Sequence, residues 1–408
     1  MKPAAFQRRP ETALPRDNPR SAGSGVYSVR FPRIYRPSWA EVDLSALRSN
    51  IIRFRRKVGR RAEILFVVKA DGYGHGAVEV AKAALATGLV SRLGVSSVEE
   101  GAVLREAGVR GPILILGSLY PFASTLAAIR YRLTPTVASL EGAKLIREAE
   151  RRLNPRERRR LPLACHLKID TGMGRIGVRW PSGRAILEAL DRVEGVSLSG
   201  VYTHCPRAED DAAYTRAQLK RFSRIVDSIR ATGTKIPCFH AANSAAALRF
   251  PESRFDLVRP GLAVYGLVDG FQPVLSLKST IVFLKRVPKG TPISYGGLWR
   301  AKRPTRVATL PIGYGDGVPR VVSVGERRAS VLIQGRRCPI IGAVTMDMLM
   351  VDVTGVRGVG IGTEAVLIGR SGKAEIGAEE LAAAAGTISY EIVTGLGARV
   401  PRIYRKIH

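Results

Sequence analysis

The stretch EILFVVKADGYGHGAVEVAKAALATGLVSRLGVSSVEEGAVLREAG (63–108) decides the fold. It opens on an uninterrupted apolar run, ILFVV (64–68), crosses a glycine-rich polar turn, and continues into an amphipathic segment, AVEVAKAALATG (77–88). A second apolar run, LGVS (93–96), and a second amphipathic segment, SVEEGAVLREAG (97–108), repeat the unit. An apolar run without alternation suits a strand buried on both faces, and a helical period between two such runs predicts parallel strands joined by crossover helices.

Outward from this unit the pattern recurs. PILIL (112–116), LTPTV (133–137), ACHLKI (164–169), SLSGVY (197–202), IPCFH (236–240) and FDLVR (255–259) bring the candidate strands to eight, with helical segments at 140–153, 185–193 and 212–233. Eight such units predict a (β/α)8 TIM barrel over residues 47–270, with its active site at the C-terminal ends of the strands. No GxGxxG or GxxxxGK[ST] follows any run, so a doubly wound open sheet lacks its phosphate fingerprint.

After about residue 270 the texture changes to short β-branched runs broken by Gly and Pro: LSLKSTIVFLKRV (275–287), RPTRVATLPIG (303–313), RASVLIQGRRCPIIG (328–342), MLMVDVTG (348–355) and EAVLIG (364–369). This predicts a mainly antiparallel β-domain over 271–408, interrupted by one helix at 376–386 and closed by a strand near ARVPRIYRK. Residues 37–46 read as a strand joining that β-domain. Residues 1–36 read as a basic, Pro-rich, disordered extension without the apolar core of a secretory signal.

The net charge of +31 raises nucleic acid as a partner, because clustered cations displace counterions from phosphate backbones. The excess is not clustered: residues 1–36 carry a net +6, leaving +25 for the rest. The one dense run, RRLNPRERRR (151–160), reads as a solvated helix end. No specific nucleic acid is expected. Four single cysteines without CxxC spacing (Cys165, Cys205, Cys238, Cys338) fit reduced thiols in a cytoplasm. No stretch reaches the roughly 18 apolar residues of a membrane span.

The chemistry starts at Lys69, a lysine placed directly after five apolar residues and beside ADGYGHG (70–76). Such a residue either reaches back to water or serves as a partly desolvated Schiff-base amine. VVKADGYGHG (67–76) resembles the segment that carries the cofactor lysine in the alanine racemase family. WAEVDLSALRSN (39–50), KIDTGMGRIG (168–177), YTHC (202–205), AANSAA (241–246), VRPGLAVYG (258–266), ISYGGLW (293–299), TLPIGYGDGVPR (309–320), TMDM (345–348) and TISYEIV (387–393) resemble further family signatures in family order. The resemblance runs from about residue 36 to the C-terminus.

The resemblance implies pyridoxal 5'-phosphate (PLP) as cofactor, L- and D-alanine as substrates, and an obligate homodimer in which the β-domain of one subunit completes the barrel mouth of the other. Lys69 would bind the cofactor and act as base on one face of the α-carbon, and Tyr295 of the second subunit would act on the other. Racemisation needs two such groups, one to remove the proton and one to return it from the opposite side. Both have ordinary pKa values of about 10, so the site must lower them or the cofactor must acidify the α-proton.

Arg259 resembles the family's partner of the pyridine nitrogen, and His204 the histidine that bonds to it. Tyr73, Ser244, Tyr390 and the amides of Gly261 and Leu262 would hold the phosphate, where barrels commonly bind one after strands seven and eight. Arg175 and the Met346 amide would take the substrate carboxylate, with Lys168 as a carbamylated lysine orienting Arg175. Tyr314 and Tyr390 would narrow the entrance, and Asp347 would support the Met346 turn.

The chain departs from many relatives at Cys205-Pro206, Gly297-Leu298, Gly315 and Thr345, positions that flank His204, Tyr295, Tyr314 and Met346. Substrate range is therefore the open part of the reading. A broad amino-acid racemase, a barrel-type PLP decarboxylase and a basic nucleic-acid-binding protein are the competing assignments, and D-alanine supply for peptidoglycan is the family expectation.

Overall fold

The computed structural model describes residues 35–323 and 328–405; the segment 1–34 of the expected extension lies outside them. All eight expected barrel strands form. The first (Glu63–Val67) pairs in parallel with the second (Arg92–Val95), and the second with the third (Ile113–Ile115). The fourth (Thr136–Val137), fifth (Leu163–Asp170), sixth (Val196–Tyr202) and seventh (Phe239–His240) form a second parallel run. The eighth (Leu257–Val258) pairs back onto the first.

Two backbone seams join the runs. Between strands three and four Ile115 N donates to Thr134 O and Thr134 N donates to Ile113 O, and between seven and eight Asp256 N and Arg259 N donate to Phe239 O and Ala242 O. With both seams made, the parallel sheet closes on itself and has no free edge.

Alternation sorts the strand side chains. Leu65 and Val67 join Leu114, Cys238 and Leu257 in a cluster inside the barrel, while Ile64, Phe66 and Val68 belong to the layer beneath the helices. Ile64, Leu65 and Phe66 have no solvent exposure, and each such side chain contributes about 1.5–3 kcal/mol by leaving water. The helices start where side chains can cap them. Ser97 accepts from Glu100 N, Ser139 from Gly142 N, and Asp211 from Tyr214 N, satisfying donors that the first turn leaves open.

The arginine-rich run behaves as a solvated element. Asn154 and Glu157 form a capping box on the short helix Pro155–Arg158, and Arg151, Arg152, Arg156 and Arg159 are exposed. The four cysteines are free and buried. Among the described residues no helix is long and apolar enough to cross a membrane.

From Leu275 the chain builds an antiparallel sheet with its own core of Leu277, Leu310, Val331, Val351 and Leu367. The strand Ser38–Asp43 pairs with Leu275–Thr280 antiparallel and with the last strand, Arg402–Arg405, in parallel. Beyond the one expected helix (Ala378–Ala385) there is a second, Ser389–Thr394, which sequence periodicity missed. It carries Tyr390 back toward the barrel mouth.

Candidate active site

The alternation that turns Leu65 and Val67 inward carries Lys69 to the mouth of the barrel interior. The chain then makes a left-handed turn, with Ala70, Asp71, Gly72 and Tyr73 all at φ between 51° and 62°. Three of these residues have side chains, and the left-handed conformation costs about 1–2 kcal/mol for each. Bonds from both sides hold the turn. Asp71 accepts from Ala77 N at 2.8 Å, and the Glu100 carboxylate accepts from Ala70 N at 2.7 Å and Ser96 N at 2.6 Å. Glu100 was not singled out in the sequence, and nothing in its helical surroundings marks it.

Above the turn lies a cavity of about 340 Å³ lined by Lys69, Tyr73, Lys168, Arg175, His204, Ser244, Arg259, Gly261, Leu262 and Tyr390, with Tyr202, Met173 and Glu209 among the other wall residues. The Lys69 amine is pushed below its ordinary value by burial and then by Arg175, against Glu100. The Lys168 amine is buried and pushed down to about 8, by burial and then by Arg175 and Arg259. Tyr73 stacks on Tyr265 at 5.0 Å, and burial raises its phenol to about 12, so it stays a neutral donor.

Arg259 is buried and fully engaged on one side. Its Nη2 donates to Thr203 O at 2.8 Å, Ala241 O at 2.9 Å and His204 Nδ1 at 3.2 Å, and its Nη1 donates to His240 Nδ1 at 2.7 Å. A guanidinium only donates, which fixes a chain of tautomers: His240 Nδ1 accepts, its Nε2–H donates to His166 Nδ1 at 2.8 Å, and His166 keeps its proton on Nε2. Burial and the Arg259 charge hold His204 and His240 well below the ordinary histidine value, and burial takes His166 to about 3. The three imidazoles stay neutral around one cation. The sequence reading named His204 and missed His240 and His166, although His240 ends the seventh strand.

One expectation differs in detail. The Gly261 amide donates to Ser244 Oγ at 3.0 Å, and Ala263 N does so at 3.2 Å. The Ser244 hydroxyl, on the first residue of the short helix that Asn243 caps, competes for the amide assigned to phosphate, and Leu262 remains in the cavity wall.

Tyr295, Tyr314, Met346 and Asp347 do not line this cavity. Bonds between neighbouring turns of the β-domain gather them: Tyr314 N donates to Thr345 O, Gly315 N to Met346 O, and Ser294 Oγ to Ala343 O. Tyr295 is 73% exposed, Met346 52% and Leu298 52%, an apolar patch of a kind that marks an interaction surface. Arg36, which the sequence reading gave to the extension, instead grips buried Asp316 at 2.5 and 2.6 Å, and Arg399 bridges Asp316 and Asp347. That network fixes the Tyr314 and Met346 turns.

Comparison with known proteins decides the family. Residues 42–269 match the profile of the alanine racemase N-terminal domain, and residues 274–404 that of the C-terminal domain. The chain belongs to the alanine racemase family. It is 45% identical to the alanine racemase of Symbiobacterium thermophilum over 90% of this chain and 97% of that protein, and 41% identical to that of Halothermothrix orenii over 91% and 98%. The alanine racemase of Bacillus anthracis with bound L-Ala-P superposes with a TM-score of 0.84 at 36% identity, covering 92% of this chain and 96% of that one. That of Streptomyces lavendulae gives 0.83 at 34%, covering 92% and 99%.

Alanine racemases are PLP enzymes, and the cavity has the donor chemistry for that cofactor. It offers a primary amine held below its usual basicity, a buried guanidinium, and the hydroxyls of Tyr73, Ser244 and Tyr390. A phosphorylated aldehyde of the cofactor's size finds there an amine to condense with and neutral donors for its anion.

Proposed function

We propose that this chain interconverts L- and D-alanine by a two-base mechanism, as a cytoplasmic homodimer that supplies D-alanine for peptidoglycan. The observation that carries the reading is a divided site: one half is a barrel cavity built around Lys69, and the other is an exposed patch around Tyr295 on the same chain's β-domain. A second subunit related by a two-fold axis would supply each cavity with the other's patch.

In this reading Lys69 holds the cofactor and moves the proton on one face of the α-carbon. The partner subunit's Tyr295 moves it on the other. Tyr73, Ser244, Tyr390, Gly261 and Leu262 hold the phosphate by neutral donors. Arg259, fixed by His204 and His240, donates toward the pyridine nitrogen and, unlike a carboxylate, does not protonate it. Arg175 and the Met346 amide orient the substrate carboxylate, Asp347 supports that amide, and Tyr314 narrows the entrance. When bound, PLP supplies the electron withdrawal that acidifies the α-proton. Residues 37–46, 47–270 and 271–408 serve as the joining strand, cofactor barrel and partner-facing domain.

The test is the optical rotation of L-alanine incubated with PLP-loaded protein, with L-serine, L-lysine and L-arginine in parallel. Rapid loss for alanine alone is expected. Equal loss across the four would make the chain a broad racemase, and no loss with cofactor bound would end the racemase reading.

Lys168 gives a second expectation. Its ammonium sits against Arg175 and Arg259, which repel it, whereas a carbamate there would be attracted by both. The neutral amine adds carbon dioxide, forming one N–C bond and releasing one proton. Because the amine pKa is lowered to about 8, the neutral form, and with it the carbamate, grows as pH rises through that value and is lost on acidification. Protein equilibrated with carbon-13 bicarbonate should show a carbamate NMR signal that strengthens with pH and is missing in Lys168→Arg. A free amine above pH 8 would remove the idea.

A further inference from the structure

The glycines of the Lys69 turn are shaped by the C-terminal segment. A Cβ at Gly74 (φ +77°) would lie 1.9 Å from Val393 O, and one at Gly76 (φ +88°) would lie 1.8 Å from Tyr404 Oη. The short helix that carries Tyr390 and the last strand therefore press directly on the loop that carries Lys69 and Tyr73.

One side chain ties the two together. Arg402, half-buried, donates through Nε to Gly74 O at 3.0 Å, through Nη1 to Gly397 O and Val400 O at 2.7 Å each, and through Nη2 to Leu396 O at 2.6 Å. Four of its five donors thus end on backbone carbonyls, one in the lysine loop and three in the segment following the Tyr390 helix. None reaches the cavity. A planar fork with fixed donor directions holds such carbonyls at one mutual geometry, which a lysine with a single ammonium does not.

We infer that Arg402 is a positioning residue of the cofactor site. It holds the Lys69–Tyr73 turn and the Tyr390 helix as one body, so that the amine and the two phenols on either side of the cavity keep a common spacing. The left-handed backbone of that turn, three side-chain-bearing residues long, needs such outside support to persist. The inference rests on the reading above, in which Lys69, Tyr73 and Tyr390 hold PLP.

The test compares Arg402→Met with Arg405→Met in the full-length protein. Arg405 lies on the same strand but bonds to Glu41 at 2.7 Å, away from the loop. Two quantities are read: amide hydrogen exchange over residues 70–76 without cofactor, and the dissociation constant of PLP. Arg402→Met should speed exchange in the loop and weaken PLP by about tenfold, the scale of losing one charge-assisted bond, with KM for alanine unchanged. Arg405→Met should leave both as they are. If Arg402→Met does not fold, Arg402→Lys is measured, and a smaller change in the same two quantities is expected.

A folded Arg402 variant with native exchange over 70–76 and native PLP affinity would overturn the inference. Failure of the natural chain to bind PLP would instead overturn the functional reading, and the exchange arm would still decide whether Arg402 holds the loop.

Discussion

Lys69→Ala is expected to leave a folded protein that has lost the visible absorbance of lysine-bound PLP and whose racemisation falls by roughly four orders of magnitude or more, since nucleophile and base go together. The fold should survive because the amine is a burden on it. Burial and Arg175 already push its pKa down, so removing it takes away a desolvated cation and no core volume. The cavity has a second amine, and this makes the experiment decisive. Lys168 is more deeply buried, on the fifth strand. If Lys69→Ala kept the chromophore, Lys168 would be the cofactor lysine and the assignment would be wrong. With the chromophore gone, a thermal midpoint equal to or above that of the cofactor-free natural protein is the outcome that fits.

Lys69 was legible because the sequence breaks its own rule there, placing a charge directly after five apolar residues. The eight barrel strands were legible for a related reason: a strand buried on both faces has no alternation to blur, and even the seventh and eighth, two residues long in the sheet, sit inside longer apolar runs. The Tyr390 helix was not, since Ser389–Thr394 is too short to show a period.

What stayed invisible was pairing between residues far apart along the chain. His166 meets His240 from 74 residues away, and Arg36 meets Asp316 from 280. Each residue alone reads as an ordinary core histidine or surface arginine, and only the folded sheets bring them together, the parallel barrel for the histidines and the β-domain that Ser38–Asp43 joins for Arg36 and Asp316. The tautomer chain from Arg259 to His166 follows from the barrel's closure plus one chemical fact, that a guanidinium cannot accept a hydrogen bond. Glu100 and Arg402 are hidden in the same way, because they act on backbone groups and backbone partners leave no mark in a sequence.

Tyr295→Phe should keep the lysine-bound chromophore, because Tyr295 does not line the cofactor cavity of its own chain, and should slow racemisation of L-alanine by about 10²–10⁴-fold, the range for losing a general acid–base group. At 73% exposure within its own chain the hydroxyl has no buried partner there to orphan, so the stability of the subunit should not change. The stronger form of the experiment mixes the two inactive chains. If Tyr295 reaches the cavity of a second subunit, a dimer of one Lys69→Ala chain and one Tyr295→Phe chain holds one site with both residues and one with neither. Unfolding and refolding an equal mixture gives about half mixed dimers, and so should return about a quarter of the natural activity from two inactive proteins. Restoration on that scale requires the two bases to come from different chains, since no rearrangement within either chain alone supplies both. A mixture as inactive as its parents, with dimers formed, would place both bases on one chain and leave the exposed Tyr295 patch without its catalytic role.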